Sequence, residues 1–194
     1  MQKNRLEAFS DGVIAIIITI MVLELRIPHE PGIYALMGLL PKFMSYILSF
    51  LYLAIYWNNH HHLLHTVHHV NGKILWANIH LLFWLSLIPF VTGWSGENDF
   101  AATPVVAYGF VLLMAGVAYF ILTRTIISSH GKDSILASAI GKDFKGTLSV
   151  LLYAVSTPLA YWEPGISMGV YTLVAIMWLI PDKRIEKRLS HPGE

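Results

Sequence analysis

Six stretches of this 194-residue chain stay apolar for about the length a helix needs to cross a bilayer. A hydrocarbon core about 30 Å thick takes roughly 20 helical residues. The stretches cover residues 6–27, 41–64, 73–94, 104–128, 144–162 and 166–180. Pro28 and Pro181 close the first and the last, and Pro41 suits the opening turn of the second. Residues 32–40 are too few to span and read as a short interfacial helix. Pro89 and Pro158 sit inside the third and fifth stretches and are expected to kink them. The expected fold is all-α: one polytopic six-helix transmembrane domain over residues 1–194, with no tandem repeat, linker or soluble domain.

Composition excludes the other classes. Hydrophobic residues make up 55% of the chain and charged residues 13%, where a soluble domain carries about 25% charged. Mean hydropathy is +0.57. With no cysteine, disulfide frameworks, Cys-ligated zinc, iron–sulfur centres and thiol catalysis are out. A net charge of +1 argues against a nucleic-acid partner. The first apolar stretch lacks the layout of a removable signal peptide, because Asp11 precedes it and Glu24-Leu25-Arg26 ends it without a small-residue cleavage site.

The basic residues set the expected orientation. Of 13 Lys and Arg, 11 fall on one side if the N-terminus is inside: Lys3, Arg5, Lys73, Arg124, Lys132, Lys142, Lys145, Lys183, Arg184, Lys187 and Arg188. Arg26 and Lys42 fall outside, among the acidic Glu30, Glu97, Asp99 and Glu163. By the positive-inside bias both termini are expected in the cytoplasm; the expected location is the plasma (inner) membrane.

The first stretch has an unusual face. At about 100° per residue with Ile16 at zero, Gly12 falls at about −40°, Thr19 at about −60°, Ile20 at about +40° and Leu23 at about −20°. Ser10 and Asp11, at about +120° and about −140°, lie opposite. A carboxylate near the membrane is costly unless partnered, so Asp11 is expected to point into the protein and leave the branched stripe to face something else. Most such stripes are packing faces against another helix or lipid. The alternative is a pore wall, in which copies of the helix surround an axis and stack Ile16, Ile20 and Leu23 into apolar rings with Thr19 hydroxyls between them. Such rings stop ions by dewetting when narrow.

Arg5-x-x-x-Phe9-Ser10-Asp11, with Ile16, Thr19 and Leu23-Glu24 behind it, resembles the signature of the transmembrane protein 175 family. Two further motifs follow in the family's order: Tyr56-Trp57-Asn58-Asn59-His60-His61-His62-Leu63, and Asn78 with Ser86-Leu87-Ile88-Pro89-Phe90-Val91-Thr92. The resemblance implies a lysosomal-type potassium channel with six-helix bacterial relatives, a homotetramer in the bilayer, potassium ions as cargo and no cofactor. It also implies that the first helix lines the pore. Ile16 would then be the main apolar constriction, Thr19 the hydroxyl layer beside it, and Ile20 and Leu23 the further rings.

A polar network is expected behind that wall. Arg5, Phe9, Ser10 and Asp11 lie at the level where Trp57, Asn59, His60 and His61 end the second stretch, and bonds between the two would set the rotation of the first helix. Plain interfacial anchoring is the competing reading for Trp57 and the histidines.

Six of the ten histidines fall within His60–His69. On a continuous helix His61, His65 and His68 share a face, as do His62, His65 and His69. That spacing can hold zinc and is similar to the boxes of membrane desaturases and hydroxylases. Those enzymes need several boxes, and His29, His80, His130 and His191 are isolated. A histidine-box metalloenzyme and a divalent-metal transporter are the alternative functions. Neither a serine-histidine-aspartate set nor a phosphate-cradling glycine loop nor a paired acid and base is present.

Overall fold

A computed structural model describes residues 2–25, 27, 28, 32–131, 136 and 143–179. Every regular element described is a helix: α1 Lys3–Leu23, α2 Ile33–Met37, α3 Leu40–His65, α4 Gly72–Ser86, α5 Ile88–Glu97, α6 Ala102–His130, α7 Phe144–Leu159 and α8 Pro164–Leu179. Four segments are long and apolar enough to cross a membrane: α1, α3, α4 continued by α5, and α6. At 16 residues each, α7 and α8 rise about 24 Å. Pro181, His29, Glu30, Arg26, His191, Lys132, Lys142, Lys183, Arg184, Lys187 and Arg188 lie outside the described residues.

The third apolar stretch is two helices. Pro89 has no amide to give Leu85 and its ring crowds that carbonyl, so the chain turns at Leu87 and restarts at Ile88. Pro158 lies one residue before the end of α7. The short α2 is a single five-residue turn with Ile33, Tyr34, Leu36 and Met37 all exposed.

The core is a continuous apolar cluster joining α1, α3, α4, α5, α6, α7 and α8, including Leu6, Ile14, Met21, Leu53, Leu81, Leu112 and Val174. Between helices in lipid, hydrogen bonds and close backbone approach supply the adhesion that burial from water supplies elsewhere. Ser45 Oγ donates to Thr92 O (2.8 Å), Thr92 Oγ1 to Ser49 Oγ (2.6 Å), and the Ser49 and Tyr108 hydroxyls are hydrogen-bonded to each other (2.7 Å), lacing α3 to α5 and α6. Deeper in the bundle Tyr153 Oη donates to Tyr52 Oη (3.0 Å), and Tyr52 in turn to the carbonyl of Tyr171. Two glycines permit this closeness. A Cβ on Gly96 would meet Lys42 Cα at 2.8 Å, and one on Gly109 would overlap the Tyr171 hydroxyl.

Lys3 Nζ donates to His65 O (2.9 Å) and Lys145 Nζ to Met177 O (3.4 Å). Asn71 Nδ2 donates to Ser129 Oγ (2.9 Å), so the start of α1, the end of α3, the start of α4 and the end of α6 share one end of the bundle, which carries Lys3, Arg5, Lys73 and Arg124. Lys42 sits at the other end, paired with Glu97 at 3.2 Å.

Candidate functional site

Helix α1 divides into two faces. Leu6, Ser10, Ile14, Ile17 and Met21 recur at three- and four-residue spacing and are buried against α3, α4 and α5. On the opposite face Ile16 is 60% exposed, Ile20 44% and Leu23 75%, with Gly12 and Thr19 also exposed. Among the described residues, no other helix covers that stripe. Thr19 Oγ1 donates back to Ala15 O (2.8 Å), which leaves its oxygen lone pairs on the open side. An open groove beside the stripe is lined by Ile16, Ile17, Ile20 and Glu24 of α1 and by Phe90, Gly93 and Trp94 of α5.

Two links set the rotation of α1. Ser10 Oγ donates to Leu6 O (2.8 Å) and accepts from Asn78 Nδ2 (2.9 Å); Asn78 Oδ1 accepts in turn from His60 Nε2 (2.6 Å). All three side chains are fully buried, so α1, α4 and α3 are joined where water cannot compete. The amide oxygen can only accept, which puts the proton on His60 Nε2. One turn away Trp57 Nε1 donates to Asp11 Oδ1 (3.1 Å), and the indole stacks on His61 at a centroid separation of 6.4 Å.

The expected network residues are therefore distributed unevenly. Asp11 meets Trp57 directly, while Ser10 reaches His60 only through Asn78. Asn59 turns away: its side-chain amide donates to Ile55 O (2.8 Å), while its backbone carbonyl accepts from Tyr119 Oη (3.3 Å). Arg5 and Phe9 are exposed, and the Arg5 side chain has no hydrogen bond or ion pair among the described residues. Asn78 is the bridge that spacing within one helix could not reveal. Its signal was an amide inside the otherwise apolar Leu75-Trp76-Ala77-Asn78-Ile79 run, where a polar side chain needs a partner on another helix.

The histidines do not form the shared face that a continuous helix would have given them. α3 stops at His65, where Thr66 Oγ1 takes the Leu63 carbonyl (2.7 Å) and Asn71 begins to cap α4. His61 and His65 stack at 5.9 Å, but His68 and His69 lie in the loop and give their backbone amides to His130 Nε2 (3.1 and 3.4 Å). Among the described residues, no three of His, Asp or Glu converge as metal ligands do.

The sequence profile of the family described as endosomal/lysosomal potassium channel TMEM175 matches residues 5–89, the part of the chain that holds α1, the Ser10–Asn78–His60 chain and the Pro89 break. A potassium channel of Chryseobacterium sp. (strain P1-3) is 55% identical over 190 residues, covering 98% of this chain and 99% of its own. The chain belongs to the TMEM175 family. A more distant relative, a potassium channel of Streptomyces collinus, is 29% identical over 91% of both chains. The crystal structure of a lysosomal potassium-selective channel TMEM175 homolog from Chamaesiphon minutus superposes with a TM-score of 0.82 at 26% identity, over 93% of this chain and 97% of that one. These relatives are potassium channels and not enzymes, so the histidine-box reading has no support among them.

Proposed function

We propose that this protein is a potassium channel of the plasma membrane whose pore is walled by the exposed stripe of α1. Six membrane crossings, with α7 and α8 as the fifth and sixth, put both termini in the cytoplasm, and four copies form the homotetramer that the family resemblance implies. The observation that carries the reading is the uncovered row of Ile16, Ile20 and Leu23 on a helix whose other face is locked by Ser10 and Asp11.

Four copies of that row around an axis make stacked apolar rings, with Ile16 as the tightest. An apolar ring gives an ion nothing in exchange for its water shell, so it closes by dewetting and passes ions when slightly wider. Potassium surrenders part of its hydration more cheaply than sodium, and the Thr19 oxygens beside the ring offset some of that loss. Four Glu24 carboxylates at the mouth would raise the local cation concentration.

The test is flux from proteoliposomes under opposed potassium and sodium gradients. Replacing Ile16 by Asn should raise flux and lower the preference for potassium, because an amide wets the ring. Unchanged flux and preference would remove Ile16 from the constriction.

A further inference from the structure

A second site lies away from α1. Helices α4 and α6 run antiparallel, with Asn71 Nδ2 donating to Ser129 Oγ (2.9 Å) at one end and Trp84 packing edge-on to Phe110 at the other. At the basic end they separate into an open groove lined by Lys73, Trp76, Phe120, Ile121, Arg124 and Ser128. Arg124 lies six residues before the end of α6, about 9 Å inside it along the helix axis. Its guanidinium sits over the Phe120 ring at 4.9 Å and has no carboxylate partner among the described residues. Lys73 faces it across the groove, likewise unpaired among the described residues.

An arginine set that far into an apolar helix face calls for an anion. Beneath the two cations the walls turn apolar and open: Trp76 is 71% exposed, with Phe120 and Ile121 beside it. The groove is thus cationic at its outer end and greasy one helical turn further in. Asn71 caps the Ile74 amide (2.9 Å), which leaves the amides of Gly72 and Lys73 without a partner among the described residues. A free phosphate would use the cations and waste the apolar wall, and a zwitterionic head group brings its own cation into a site that already has two.

We propose that this groove binds an anionic phospholipid, with Arg124 and Lys73 on the head-group phosphate and an acyl chain along Trp76, Phe120 and Ile121. Basic residues near a membrane surface strengthen binding of an anionic lipid about fivefold each.

The experiment uses the whole chain, purified in mild detergent and stripped of lipid, titrated with phosphatidylglycerol, phosphatidylcholine or inorganic phosphate and read by thermal shift and native mass spectrometry. Phosphatidylglycerol should bind and raise the melting temperature where the other two do not. Arg124→Gln with Lys73→Gln should weaken that binding about 25-fold and leave the lipid-free melting temperature in place, whereas Arg5→Gln, at the same end but outside the groove, should leave binding as it was. Equal binding by the double variant and the parent chain overturns the proposal, as does an equal response to inorganic phosphate. Because the chain has no cysteine, Trp76→Cys reads the occupant directly. A disulfide between copies at that position would make the groove a subunit interface and overturn the lipid assignment.

Discussion

Asn78 uses both ends of its amide: Nδ2 donates to Ser10 Oγ on α1 and Oδ1 accepts from His60 on α3. Removing it leaves a buried hydroxyl and a buried imidazole each short of a partner, and an unsatisfied buried polar group costs about 1–3 kcal/mol. Asn78→Ala is therefore expected to lower stability by about 2–4 kcal/mol, read by thermal melting in detergent. Pairing it with Ser10→Ala should cost less than the sum of the two single changes, because the second substitution removes one of the orphaned groups. Full additivity would mean that the Ser10–Asn78 bond carries no energy of its own.

At the scale of the element, α1 is a helix whose rotation matters more than its existence. Its apolar sequence forms a helix in lipid whichever face turns where. The Asp11–Trp57 bond and the Ser10–Asn78 bond fall on the side opposite Ile16 and so hold the stripe outward. Asp11→Ala should loosen that rotation and reduce potassium flux several-fold, at a cost of about 1 kcal/mol for a bond at a partly wet position. Asp11→Asn keeps an acceptor for the indole and should retain most of the flux. Equal flux from the alanine variant and the parent chain would detach the rotation of α1 from this bond. Elsewhere the elements end where side chains end them: Pro89 divides α4 from α5, and Thr66 with Asn71 closes α3 and opens α4.

For the molecule as a whole, the chain buries polar lacing on the inside and exposes branched aliphatics on α1, a face that either lipid or further copies of the chain would cover. The expected particle is a tetramer of 21.8 kDa subunits, measurable by native mass spectrometry. In this cysteine-free chain, Leu23→Cys should form disulfide-linked dimers under mild oxidation if four copies of α1 meet at an axis. A monomeric mass with no cross-link would return the stripe to lipid.

Helix content and the break at Pro89 were readable from the chain, because each depends on neighbours in sequence: the length of an apolar run, a missing amide. The two faces of α1 were readable for the same reason, since 3.6 residues per turn is a local period. The end of the first helix was not: the run reaches residue 27 before Pro28, yet α1 stops at Leu23. What the period does not carry is azimuth between helices. Asn59 and Asn78 look alike as amides near one end of an apolar run, yet the Asn59 side chain donates back to Ile55 O on its own helix while Asn78 joins three helices. The choice depends on how α1, α3 and α4 pack around one another. The histidine cluster failed as a helical face because α3 terminates after His65 and the loop is drawn over to His130 on α6, a contact 61 or 62 residues away in sequence. Short-range chemistry chose the helices, and long-range packing chose which of their polar side chains found one another.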